Sequence, residues 1–406
     1  MTTLTQEQQA LLALLRQSLW GESGGFHEKL NWETLDTMAK QQGVISLAYD
    51  GAVALKVALP EQIRQTWNRL TLAGVVRNER LLAAQDEVLG WLDAAGIPAA
   101  ILKGSSVARH YPQPELRVLG DVDILVPRAQ VEQVRQILQR NGYRMHESDH
   151  HFHIGFNKDG AYVEIHYDVT TLPDCKGGTA VQKETAHFLD HTDRGQVHTH
   201  AFPVLSQHHQ ALMLLLHMVR HMTEGGIGLR QLCDWAMYLA NADAEHFTRN
   251  TVPVLERCGL LRYAQIATGT CVHYLGLPKK CASWCENVDK FQTQAFLEDI
   301  LSCGNMGTAD SGKIGRTLAK GSTPEKKQSY LGTVLANLTR IANYRFPITR
   351  TQKWLLPIFW VYLPLRYWVR SLLGLRQKQS VIKVAQDAKA KQEFFNMLEL
   401  FETEKS

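Results

Sequence analysis

Two aspartates in the run Gly120-Asp121-Val122-Asp123-Ile124-Leu125-Val126 are the residues of this chain best placed to do chemistry. Alternate residues of a β-strand share a face, so Asp121 and Asp123 are expected to project together while Val122, Ile124 and Val126 enter the core. Adjacent carboxylates repel, and one would keep a proton unless a cation sat between them. Hard oxygen ligands of this kind suit Mg²⁺. The run Tyr162-Val163-Glu164-Ile165-His166 alternates in the same way, with Glu164 and His166 opposite Val163 and Ile165. If this strand lies beside the first with its polar face on the same side, three carboxylates converge, enough for a site with two divalent ions.

Upstream, Ile101-Leu102-Lys103-Gly104-Ser105-Ser106 reads as a strand that ends in Lys-Gly and opens a helix. A glycine that admits close backbone approach, a helix N-terminus and the Lys103 charge together make a phosphate site.

Taken in order, Lys103-Gly104-Ser105, Arg117, Gly120-Asp121-Val122-Asp123 and Val163-Glu164-Ile165-His166 resemble the poorly characterised nucleotidyltransferase family of the DNA polymerase β superfamily, over roughly residues 90 to 240. The resemblance implies that Asp121, Asp123 and Glu164 hold the metals. It also implies that Gly104 and Ser105 cradle the triphosphate of an NTP such as ATP, and that Arg117 or Lys103 neutralises it. Two features depart from the usual pattern: the gap from Ser105 to Asp121 is longer, and the third acid is Glu rather than Asp.

Histidines cluster around these acids. His150, His151 and His153 precede an expected hairpin turn at Asn157-Lys158-Asp159-Gly160. A loop of two or four residues would set His153 opposite His166 or Glu164 on the same face, able to bind phosphate or metal, with Phe152, Ile154 and Phe156 in the core. In Leu216-His217-Met218-Val219-Arg220-His221 the spacing of four puts His217 and His221 on one helical face. The family resemblance includes such a helix followed by one carrying Asp, here Asp234, which would position nucleotide or acceptor. His187, His191, His198 and His200 match no standard zinc spacing, and no metal is expected at the pair Cys281 and Cys285.

These residues need a scaffold, and the periodicities supply one. Residues 1–96 read as a helical N-terminal region, residues 97–202 as the catalytic core, 203–310 as a helical domain, and 311–406 as a basic, aromatic-rich helical C-terminal region. Within the core, strands are expected at 99–102, 121–126, 143–147, 151–156 and 161–169, with helices at 105–111 and 128–141; beyond it, helices at 207–222 and 229–241 are the clearest. The fold class is α+β, a small mixed sheet flanked by helices.

Apolar content of 45% with 21% charged residues fits a globular chain and excludes disorder as the default. Seven cysteines without a C-x-x-C pair suit reduced thiols, and the first twenty residues lack a secretory signal, so a cytoplasmic protein is expected. Net charge is +4, yet Lys326 to Gln386 holds eleven Lys and Arg and no Asp or Glu, leaving −7 for the remainder. The uncharged run Trp354 to Leu365 is too short to span a bilayer and carries Pro357 and Pro364. Three readings of this tail are compatible with its composition: a helix buried against the N-terminal region, a phosphate-contacting surface for nucleic acid, or an interfacial segment on the inner, anionic face of a membrane.

The function expected is transfer of an NMP group from an NTP to a hydroxyl or phosphate acceptor, with pyrophosphate released and two Mg²⁺ ions, or Mn²⁺ in their place. The competing expectation is a non-catalytic module that binds a nucleotide as a signal and uses the basic tail as a contact surface. A third keeps the fold but transfers a phosphoryl group.

Overall fold

A parallel pairing of the two acid-bearing strands organises the core. In the computed structural model, which describes residues 3–22, 26, 30–150, 152–170, 172–285, 288–305, 332, 335, 338, 339, 342, 343, 346, 348–372 and 390–403, the sheet strands are β1 (Ala100–Ile101), β2 (Val122–Leu125), β3 (Arg144–His150), β4 (His153–Lys158), β5 (Ala161–His166), β6 (Thr192–Val197) and β7 (His200–Leu205). Their order across the sheet is β3-β4-β5-β2-β1-β7-β6. β2 runs parallel to β5 and antiparallel to β1, while β1 runs parallel to β7.

The expected alternation holds. Val122, Ile124, Val126, Val163 and Ile165 pack on one face with Leu81, Leu82, Val88 and Leu92 of helix α4 and with Val134 and Leu138 of α6. The opposite face, carrying Leu102, Leu125 and Leu205, belongs to a larger core shared with the helices that follow the sheet. The helices up to that point are α1 (Gln6–Trp20), α2 (Trp32–Gln42), α3 (Ile45–Ala54), α4 (Glu61–Ala94), α5 (Ser105–Ala108), α6 (Val131–Arg140), α7 (Lys176–Thr185), α8 (Gln207–Glu224) and α9 (Leu229–Asn241). The molecule is thus α+β, a mixed sheet with flanking helices, as the sequence predicts.

Several boundaries move. The hairpin β6–β7 is additional to the five expected strands, and β7 extends to Leu205, past residue 202. Three of the six β6 residues, Asp193, Arg194 and Gln196, are exposed and polar, which erases the apolar rhythm by which a strand is recognised. Residues 128–130 form a 3₁₀ turn before α6, and α5 ends at Ala108 rather than 111. α4 lies before residue 96, yet its C-terminal half covers the sheet, because its apolar stripe is the surface that buries β2 and β5. Residues 390–403, assigned by sequence to the separate C-terminal region, dock Phe394, Phe395 and Leu398 on the helical core, and Phe401 N–H donates to Gly259 O at 2.7 Å. No helix among the described residues is long and apolar enough to cross a membrane.

The loop leading into β2 is held from two sides. Asn78 of α4 donates to the carbonyls of Glu115 and Arg117 at 2.9 and 3.1 Å and accepts from Leu119 N–H at 2.7 Å. On the other side Arg117 makes a two-pronged ion pair with Asp234 of α9, Nε to Oδ1 at 3.0 Å and Nη2 to Oδ2 at 2.6 Å, while Tyr111 Oη donates to Oδ1 at 2.8 Å. Both charged groups are buried, so removing one partner strands the other in a low-dielectric interior. Asp234→Asn should therefore lower unfolding free energy by about 3–5 kcal/mol in urea titrations. An unchanged midpoint would show that the pair does not hold this loop.

Candidate metal and nucleotide site

Register, more than sequence spacing, assembles the acids. Asp123 of β2 faces Glu164 of the parallel strand β5, and the next residues in line are Leu125 and His166. The β4–β5 hairpin closes with a two-residue Asp159-Gly160 turn, pairing Lys158 with Ala161 and so placing His153 across from His166. Asp159 and Gly160 both take positive φ, the geometry such a tight hairpin demands. Asp121 sits one residue before β2, partly exposed. The outcome is that Asp121, Asp123 and Glu164 each offer an oxygen within 4.8 Å of the others, and His153, Glu164 and His166 form a second such set sharing Glu164. Phe152, expected in the core, instead stacks over His166 with ring centroids 6.2 Å apart and lies 4.7 Å from the His153 ring.

Three like charges this close need compensation, and cationic side chains provide it. Lys103 Nζ lies 2.8 Å from Asp123 Oδ1 and 3.7 Å from Asp121 Oδ2. His166 Nε2 lies 3.0 Å from Asp123 Oδ1 and 3.2 Å from Glu164 Oε2. Burial alone would raise the carboxyl of Glu164, but its bond to His166 and the field of Lys103 outweigh that and hold it at about 2. Asp123, wholly buried, is likewise lowered: the penalty of burial is overcome by Lys103 and His166. Burial opposes the charge on His166 and on Lys103 too, and the surrounding carboxylates raise both. Asp123 Oδ2 is buried without a hydrogen-bond partner. An orphan carboxylate oxygen beside two further oxygen donors fits a hard divalent cation, so Asp121, Asp123 and Glu164 could hold one or a pair.

The remaining sequence candidates divide. Gly104, with φ of 69°, turns the chain into α5 beneath Asp121. The Ser105 hydroxyl is buried and donates to Gln85 Oε1 at 2.5 Å, so only its backbone is open to a phosphate. Arg117 is occupied by Asp234 rather than turned to a triphosphate. His217 and His221 meet edge to face 4.3 Å apart on α8, within the field of Lys103. Burial and the neighbouring cations push His217 well down and His221 to about 3, so both are neutral at physiological pH. Among the four dispersed histidines, His200 bonds Asp86 and Glu79, and His187 bonds Asp190; they make no common cluster.

Two arginines not singled out by the sequence border the same space. Arg220 of α8 lies 4.9 Å over the Phe152 ring, one aromatic layer from His166. Arg230 of α9 reaches only long contacts, 3.5 Å to Val118 O and to Asn305 Oδ1, and feels the field of Asp121. The Nε atoms of both are buried and without partners. Their signal was available in Val219-Arg220-His221, since a residue three after His217 shares its side of the helix. What the sequence could not show is that, among the described residues, neither has a carboxylate within ion-pairing distance.

This cluster has a defined pH dependence in metal-free protein. The depressed Asp123 and Glu164 contribute stability that is present above about 4.5 and lost as pH falls through their folded values. The raised His166 contributes stability that is complete below 6.5 and lost as pH rises through its folded value. Histidine NMR should thus show His166 still protonated above pH 6.5 while His221 stays neutral down to about 3. Asp123→Asn should move the His166 midpoint downward; an unmoved midpoint would show that the two do not share a proton-binding site.

A search of curated proteins and a search of solved structures each return no match. A family model described as an uncharacterised nucleotidyltransferase matches residues 28–276, from before α2 to just past the helical turn Cys271–Leu275. With more than half of the chain, its sheet and both acid-bearing strands inside that match, the chain belongs to the uncharacterised nucleotidyltransferase family.

Proposed function

We propose that the protein transfers a nucleoside monophosphate from an NTP to a hydroxyl or phosphate acceptor, releasing pyrophosphate. The observation that carries this reading is the convergence of Asp121, Asp123 and Glu164 to within 4.8 Å in a cluster already buffered by Lys103 and His166. Three acids gathered at one point, two of them held ionised against burial, are more than a site needs for binding a polyanion, which they repel.

In this mechanism Asp121, Asp123 and Glu164 would hold two Mg²⁺ ions, which when bound lower the pKa of the attacking group and neutralise the triphosphate. Glu164, at about 2, is a poor base and serves as a ligand instead of taking the acceptor's proton. The acceptor oxygen attacks the α-phosphorus in line, forming one P–O bond as the bond to the pyrophosphate oxygen breaks, and the proton of a hydroxyl acceptor passes to solvent. Lys103 and the backbone at Gly104 and Ser105 receive the leaving pyrophosphate. Arg220 and Arg230 complete the anion-binding wall, with neutral His217 and His221 as hydrogen-bonding groups between them. Three carboxylates against Lys103 and the two arginines leave the side chains near neutrality, so a triphosphate arriving with two divalent ions balances the site. The all-oxygen donor set of Asp121, Asp123 and Glu164 also suits Mn²⁺ as an alternative ion.

The test is pyrophosphate release from each of the four NTPs with and without Mg²⁺. Asp123→Asn should lower turnover about a thousandfold, equivalent to roughly 4 kcal/mol of transition-state stabilisation, with the fold retained. Arg220→Gln and Arg230→Gln should each raise KM for the NTP about 10- to 100-fold, the size of a charge-assisted hydrogen bond. NTP binding without pyrophosphate release would favour the signal-binding module, and nucleoside diphosphate as product would favour phosphoryl transfer.

A further inference from the structure

The helix Leu356–Leu372 and the turn before it carry apolar residues all round. One side is covered within the tail: Leu363 is buried, Phe359 stacks on Phe346 with centroids 4.5 Å apart, and Trp360 Nε1 donates to Thr339 Oγ1 at 2.9 Å. The opposite side is not. Trp354, Ile358, Val361, Tyr362 and Leu365 are exposed by 70, 57, 69, 42 and 53%. Their spacings of four, three, one and three confine them to one strip about 100° wide at 100° per residue. Isolated exposed apolar residues are ordinary, but a continuous strip with Trp and Tyr in it marks an interaction surface.

The charge pattern identifies the occupant. By sequence, Arg350 and Lys353 precede the strip and Arg366 and Arg370 follow it, within the interval from Lys326 to Gln386 that holds eleven cations and no acid. Lys353 is exposed. A second protein surface would need a matching apolar patch, and a nucleic acid offers phosphate but no apolar phase for Ile358, Val361 and Leu365. An anionic bilayer offers both, headgroup charge at its surface and acyl chains just beneath, and aromatic residues favour the level between. The helix is too short and too strongly flanked by cations to cross. We infer that this strip docks the protein parallel to the surface of a membrane rich in anionic lipid, with the exposed apolar side chains inserted and the basic residues at the headgroups.

Co-sedimentation of the full chain with vesicles tests this directly. At low salt the protein should pellet with phosphatidylglycerol-containing vesicles at least tenfold more than with pure phosphatidylcholine, and raising salt should release it, since charges more than about 10 Å apart are screened at 0.1 M. Ile358→Ser with Val361→Ser, both exposed and uncharged after the change, should cut binding about tenfold while the melting temperature and NTP binding stay the same. Trp354→Phe should remove most of the fluorescence blue shift seen on adding vesicles. The inference is overturned if the wild type stays in the supernatant, or if the serine variant binds as well as wild type. It is equally overturned if that variant instead turns a dimer into a monomer in sedimentation velocity, or if the tail binds RNA or DNA but not vesicles.

Discussion

The constraint on which the rest of the structure depends is the gathering of three carboxylates into a space less than 5 Å across. Such a cluster is unstable in isolation, because each ionised acid raises the cost of the next and burial raises it further. The fold meets that cost with Lys103 just past β1 and His166 of β5, while His153 of β4 lies 3.8 Å from Glu164. Lys103 depends on the pairing of β1 with β2, and the histidines on the register of β2 with β5 and of β5 with β4. A slip of one residue in either pairing would send Glu164 or His166 into the hydrophobic layer beneath α4.

Around this centre the cationic groups sort by whether they have a partner. Arg117 meets Asp234 in a buried, two-pronged pair that also engages Tyr111, and thereby fixes the loop entering β2 against α9. Arg220 and Arg230 are held close by, on an aromatic ring and on distant carbonyl and amide oxygens, without a carboxylate. A charge already satisfied inside the protein gains little from a phosphate, whereas one whose partners are poor gains much. The physical distinction between a scaffold arginine and a ligand arginine here is the presence of Asp234.

The tail shows the same logic in apolar terms. Its buried side is satisfied by Phe346 and Thr339, while Trp354, Ile358, Val361, Tyr362 and Leu365 of the strip remain exposed to water. Of the readings open to its composition, burial of the whole segment against the N-terminal region is not what the fold displays. The C-terminal residues that do return to the helical core are 390–403, through Phe394 and Leu398.

The sequence by itself determined the acid-bearing strands, the face each acid occupies, the hairpin carrying His153 and His166, and the two helices after the sheet, because period-2 and period-3.6 patterns translate directly into faces. It also determined the family, through motifs short enough to be read without long-range contacts. Only the tertiary structure decided which strands are neighbours, and therefore that Glu164 stands beside Asp123 and His153 beside His166. It alone revealed the β6–β7 hairpin, whose exposed polar residues mute the alternation, and the release of Phe152 from the core to stack on His166. Most of all, it separated Arg117 from Arg220 and Arg230, since a long side chain's partner is set by which residues from distant parts of the chain come within reach, and no local pattern encodes that.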